Sequence, residues 1–401
     1  MPNHPVNSEI HLLDGRFYAD HPHRHFDWLR AHAPVYWDEA SQLWGVTRHA
    51  DVMELSKRPD AFCSGGSSRP DAPPIPSMIN LDDPAHRRRR GLVSKGFTPL
   101  RVADHEPSIR QICRDLIERA AGKGRFDFVR DIAAPLPMTV IGDLLGVARE
   151  DHDMLLRWSE DMVGGLSATA PPQAYDAALH AYEEYSAYHH TVVADRRARP
   201  QQDDVISALV HAEIDGERLD DDALLQESLL ILIGGDETTR HVISGGMYAL
   251  LQNPEQHRRL IDEPRRVPCA VEEMLRWVTP IQNMNRTATR DLELHGQSIR
   301  AGERVLLLYP AANRDETVFR EPHRFDVTRE PNPHVAFGGY GAHFCLGASL
   351  ARLELRVMFE ELMRRMPGVE LESSEPPALR PSNFIVGIEH LPVRVESVGS
   401  V

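Results

Sequence analysis

The chain has 401 residues, of which 41% are hydrophobic and 26% charged, and a net charge of −15. That length allows a large core, and the acidic balance argues against nucleic acid as a partner. The cysteines Cys63, Cys113, Cys269 and Cys345 stand far apart, with no C-x-x-C and no H-E-x-x-H, which argues against structural zinc and for a reducing compartment.

The opening MPNHPVNSEI has neither a basic segment nor an apolar one, so no signal peptide is expected. The longest apolar run, Leu229–Ile233, is too short for a membrane span. A soluble, cytoplasmic protein is expected. No linker or repeat divides residues 1–401, so one domain is expected.

Pro22–His32 reads as a helix, Val35–Trp37 and Leu43–Val46 as a strand pair, and His49–Arg58 as a helix. Ser64–Asn80 carries Gly65, Gly66, Pro70, Pro73, Pro74 and Pro76 and must be irregular, either a functional loop or a connector. Asp82–Asp83–Pro84 opens a helix holding His86 and Arg87–Arg90. His86 and Arg90, four apart, share a face suited to an anion. Arg87–Arg89 is either a solvated face or a dock for an acidic partner.

Helices are expected at Pro107–Gly122, Ile132–Leu145, Asp151–Met162, Pro171–Arg199 and Asp203–His211. Gly164–Pro172 reads as a hinge or a plain loop. Asp221–Leu251 is apolar almost all round and predicts a central buried helix. Its middle, Gly234–Thr239, is poor helix sequence. It marks either a break or a local widening that lets Glu237 and Thr238 manage protons.

Pro268–Trp277 predicts a helix with Glu273 and Arg276 adjacent on one face. Strands follow at Asn285–Thr289, Leu292–Leu294 and Val305–Tyr309, and Phe384–Val395 reads as a hairpin. Gly338–Gly347, GGYGAHFCLG, packs four glycines around Cys345 just before a helical apolar stripe that includes Leu350, Leu353 and Met358. A cysteine there is either a metal-ligating thiolate, favoured by the helix dipole, or a buried structural thiol.

Together these stretches resemble a soluble bacterial cytochrome P-450, a haem-thiolate monooxygenase. Six motifs carry the resemblance in the family's order: His86 with Arg90, Gly234–Thr239, Glu273 with Arg276, Ala312–Asp315, Phe319 with Pro322, Phe325 and Arg329, and Gly341–Gly347. Phe337 lies eight residues before Cys345, so the loop is one residue longer than the family's usual form. The longer loop is similar to that of actinobacterial relatives oxidising sterol and lipid side chains.

The resemblance implies a mainly α fold with small β-sheets, and haem b between the long central helix and the Cys-loop helix. It implies Cys345 as the iron ligand, and His86, Arg90, Arg286 and His343 as holders of the haem propionates. Phe337, Gly338 and Gly347 would lie against the cofactor. Glu237 and Thr238 would relay protons, and Glu273, Arg276 and Arg329 would lock the core beneath. Electrons would come from NAD(P)H through a ferredoxin reductase and a ferredoxin docked at Arg87–Arg90, on a monomer.

ILIGGDETTRH (Ile231–His241), EEMLRW (Glu272–Trp277) and FDFVRDIAAPLPM (Phe126–Met138) are most similar to steroid side-chain hydroxylases of cholesterol catabolism. The implied reaction is terminal hydroxylation of the cholesterol or cholest-4-en-3-one side chain. A macrolide, terpene or fatty acid is the alternative substrate. A haem carrier without turnover is a remoter one, since a carrier needs no proton relay. Ser64–Asn80, Gly164–Pro172, Val278–Met284 and Phe384–Val386 would line the pocket.

Overall fold

A computed structural model describes residues 5–165, 170–213, 216 and 218–395. Residues 166–169 of the expected hinge therefore lie outside the described residues. The fold is built around one helix, Asp221–Gln252, which runs unbroken through Gly234–Thr239. Asp220 caps it, its carboxylate accepting from the Ala223 N–H at 2.8 Å, and Asp221 and Asp222 complement the dipole in the first turn. Asn253 ends it and Pro254 starts the next helix, Pro254–Asp262.

Because this helix is apolar on nearly every side, it sits in the middle of the main core rather than on a surface. Helices Pro135–Leu145, His152–Gly164, Val267–Val278 and Ala348–Arg365 pack against it. Gly235 leaves room for Ile141 of Pro135–Leu145, since a Cβ there would stand 2.7 Å from that side chain. Ala348–Arg365 packs in turn on Glu106–Ala121. Among the described residues no helix is long and apolar enough to cross a membrane.

A five-stranded sheet flanks this helical body. Its strand order is Val35–Asp38, Leu43–Val46, Arg304–Leu308, Asn283–Ala288, Phe62–Cys63. The pairing of Leu43–Val46 with Arg304–Leu308 is parallel, and the others are antiparallel. The sheet carries Arg286 to the edge of the helical body.

The hairpin expected over Phe384–Val395 does not form. Pro392–Val395 is instead the middle strand of a three-stranded sheet, between Arg125–Asp127 and Val369–Leu371. Its partner strands lie far off in the chain, so local alternation could not reveal them. The segment before it is held by single bridges, Ile281 to Ile385 and Leu379 to Ile388. Ser64–Asn80 is irregular as expected, with a short 3-10 turn at Met78–Asn80. It is pinned by Ser64 N–H to Asp82 (2.8 Å), Ser68 N–H to Asn80 (2.7 Å) and Asn285 Nδ2 to the Ser67 carbonyl (2.9 Å).

Candidate active site

Cys345 lies just before the helix Ala348–Arg365, whose N-cap is Gly347. The glycines before it have distinct reasons. Gly338 has φ +91, and a Cβ on Gly341 would meet the Ser56 carbonyl oxygen at 1.7 Å. The loop closes on itself through the Cys345 N–H donating to the Phe337 carbonyl at 3.0 Å and the Phe344 N–H to that of Gly341 at 3.0 Å.

Cys345 presents accessible surface, yet burial is the largest influence on its thiol and pushes it up. The two observations agree if the sulfur faces an internal hollow. The N–H of Gly347, the charges of Arg90 and Arg352 and the N–H of Ala348 pull the other way, toward the thiolate. At Gly347 a Cβ would meet nothing within 4 Å, so this side of the loop is open.

Phe337 is clamped from outside. The Arg352 guanidinium stands 4.6 Å from its ring centroid and is held by Glu272 at 2.7 and 2.9 Å. Glu272 also meets His334 Nε2 at 3.0 Å. Burial works to raise the Glu272 carboxyl, but His334 and Arg352 hold it down to about 2. The clamp was not anticipated from sequence; its signal was the doubled glutamate in Glu272–Glu273.

His86, Arg90, Arg286 and His343 converge as expected. The His86 and His343 rings stack at 4.1 Å, and His86, Arg286 and His343 line one small cavity. The Arg90 guanidinium donates to the Phe344 carbonyl. Burial, then the charges of Arg286, His86 and Arg90, push His343 down to about 3. His86 Nε2 is buried without a partner among the described residues. So many crowded donors suit a group bearing more than one negative charge.

On the central helix, Gly234 is exposed, and Thr238 is half-buried although Glu237 and Thr239 beside it are buried. The Thr238 hydroxyl donates to the Gly234 carbonyl at 2.9 Å. Glu237, next in sequence, is wholly buried and turned to other partners. It meets Arg380 at 2.7 Å, Arg240 at 3.3 Å and His241 Nε2 at 3.5 Å. Burial works to raise it, but His241, Arg240 and Arg380 keep it ionised. Burial and the Glu237 charge push the adjacent Asp236 up. Neither Asp236 oxygen has a hydrogen-bond partner within normal distance among the described residues; the nearby Ser159 hydroxyl pulls that carboxyl back down. Arg380 was not foreseen, since nothing near it in the chain marks it.

Glu273 and Arg276 form a fully buried pair at 2.7 and 2.8 Å. Arg329 joins at 3.0 Å, as expected, and Asn332 adds a donor at 3.1 Å.

The basic patch needs correction. Arg87 and Arg88 are exposed, but Arg89 and Arg90 turn inward. Arg89 reaches the buried Glu227 at 3.2 Å, and Glu227 also accepts from the Met78 N–H at 2.8 Å. Four successive residues span more than a full helical turn, so they cannot share one face.

A flat, doubly anionic macrocycle with a central metal would fit these residues, with Cys345 as its sulfur ligand and His86, Arg90, Arg286 and His343 for its anionic groups. A family model for cytochrome P450 matches residues 64–392. A steroid C26-monooxygenase of Mycobacterium tuberculosis is 48% identical over 96% of both chains. A methyl-branched lipid omega-hydroxylase of Mycobacterium bovis is 40% identical over 92% of this chain and 90% of its own. A Mycobacterium marinum cytochrome P450 solved with pseudoionone superposes with TM-score 0.90 at 34% identity, covering 98% of this chain and 99% of its own. A Bacillus megaterium cytochrome P450 solved with testosterone gives TM-score 0.84 at 35% identity, covering 94% and 99%. The chain belongs to the cytochrome P450 family.

Proposed function

We propose that the chain is a haem-thiolate monooxygenase, acting as one unit over residues 1–401, that hydroxylates the terminal carbon of a steroid side chain such as that of cholest-4-en-3-one. The observation that carries the chemistry is that Cys345 is exposed on a loop with His86, Arg90, Arg286 and His343 gathered beside it, while Thr238 is half-buried between the buried Glu237 and Thr239. The steroid follows from the relatives, 48% identical over nearly the whole chain, whose names specify steroid C26. The 40% identical lipid omega-hydroxylases favour a second reading, a branched lipid oxidised at its chain end.

Cys345 is the iron ligand, its thiolate supported by the Gly347 and Ala348 N–H groups and by Arg90 and Arg352. His86, Arg90, Arg286 and His343 hold the two propionates. When bound, haem supplies the activation of dioxygen, so that one oxygen atom enters a C–H bond and the other leaves as water, with electrons from NAD(P)H through a reductase and a ferredoxin. The Thr238 hydroxyl donates its hydrogen bond to the Gly234 carbonyl. Its oxygen lone pairs remain free to orient a proton-carrying water. Glu237, ionised among Arg380, Arg240 and His241, accepts a proton only by giving up part of that pairing. It therefore acts as a reserve behind Thr238. Arg87 and Arg88, with Arg89 and Arg90 excluded, attract the acidic ferredoxin.

Spectral titration tests the substrate. Cholest-4-en-3-one is expected to bind tightly and yield the terminally hydroxylated product with ferredoxin, reductase and NAD(P)H. Tight binding of methyl-branched fatty acids without a steroid response would replace the first reading with the second.

A further inference from the structure

Tyr340 belongs to the GGYG stretch that makes the Cys345 loop one residue longer than usual. Its side chain is 51% exposed, one of few large apolar side chains left on the surface. Its backbone has φ +59, in the left-handed region that is costly for any residue with a Cβ. Glycines stand on both sides, and a third in its place would remove that cost. The ring stacks flat on Phe344, 4.8 Å between centroids at 16°. Phe344 directly precedes Cys345. Arg352 lies close enough to the Tyr340 hydroxyl to interact electrostatically.

The helix Ala85–Val93 borders the same loop, since Arg90 donates to the Phe344 carbonyl while Arg87 and Arg88 face outward. An exposed aromatic on this loop, with outward arginines on the helix that borders it (Arg87 paired with Asp83 at 3.0 Å), is the composition of an interface hot spot for an acidic partner. We propose that Tyr340 is the docking anchor for the electron donor, an acidic one-electron iron–sulfur protein, and that its stack on Phe344 leads from the donor's contact point to Cys345. This rests on the ferredoxin-dependent reading above. The step moves one electron: the donor cluster is oxidised, the haem iron is reduced from ferric to ferrous, and no bond or proton changes hands.

The test compares Tyr340→Gly and Tyr340→Phe in the haem-loaded protein, with a soluble acidic bacterial ferredoxin as probe. Binding of the oxidised ferredoxin is measured by calorimetry, beside the melting temperature and the dithionite-reduced carbon monoxide spectrum. Tyr340→Gly is expected to weaken ferredoxin binding about tenfold, with an unchanged or higher melting temperature and an unchanged spectrum. Tyr340→Phe is expected to bind as wild type. Wild-type affinity in Tyr340→Gly overturns the proposal. Weakened binding accompanied by a lower melting temperature or an altered spectrum also overturns it, because Tyr340 then merely supports the loop. Wild-type protein that binds no ferredoxin overturns the ferredoxin-dependent reading itself.

Discussion

Glu273 and Glu237 are both wholly buried, and both sit beside arginines. Glu273 is saturated: its two oxygens accept from Arg276, Arg329, Asn332 and the Asp326 N–H, all within 2.7 to 3.1 Å. Around Glu237 the pairing is slack. Glu237 Oε1, Arg240 Nε, both His241 nitrogens and both Asp236 oxygens are buried without a hydrogen bond among the described residues. A saturated carboxylate has no lone pair to spare and nothing to gain from a proton, so it serves as a fastener. A slack cluster can exchange partners and protons at small cost. The fastener ties the helix Val267–Val278 to residues 326–332, and the slack cluster adjoins Thr238 in the chain, which divides holding from chemistry.

That division can be broken most sharply at Glu273. Glu273→Gln leaves Arg276 and Arg329 without their counter-charge and should cost about 3–5 kcal/mol of stability, read by thermal or denaturant unfolding. A loss well under about 1 kcal/mol would mean that saturation is not what holds this region.

Thr238→Ala removes one hydroxyl at a half-buried position and should leave stability within about 1 kcal/mol of wild type. Its effect should fall on coupling. Product formed per NAD(P)H consumed is expected to drop severalfold, with the difference recovered as peroxide. Unchanged coupling would take the proton role away from this turn of the helix.

Asp236→Asn sharpens the comparison through pH. Burial and the Glu237 charge raise the folded-state value of Asp236. Its contribution to stability is thus complete below the unfolded value and is lost as pH rises through the raised one. Wild type should lose stability progressively as pH rises from the ordinary aspartate range toward about 8, and Asp236→Asn should lose less over that window, by a smaller margin than either effect above. Parallel pH curves for the two proteins would show that Asp236 ionises as an exposed acid does.

Much of this was legible in the sequence. The central helix could be read because its apolar residues are contiguous, whereas the poor local propensity of Gly234–Thr239 is overridden by packing and the helix runs on. The Cys345 loop could be read because its glycines and cysteine fall within ten residues. What escaped depends on distant partners. Glu237 meets Arg380 across 143 positions and Arg89 meets Glu227 across 138. Pro392–Val395 pairs with Arg125–Asp127 rather than with its own neighbours. Run-length reading grouped four arginines as one patch, whereas helical geometry splits them into two that face water and two that face the core.

The central claim is that Cys345 is the thiolate ligand of a haem held by His86, Arg90, Arg286 and His343. The carbon monoxide complex of the reduced, haem-loaded protein tests it most directly. The account predicts a band at the wavelength, about 450 nm, that gives the family its number, and its loss in Cys345→Ser. Wild-type protein without that band, or Cys345→Ser that keeps it, would contradict the account.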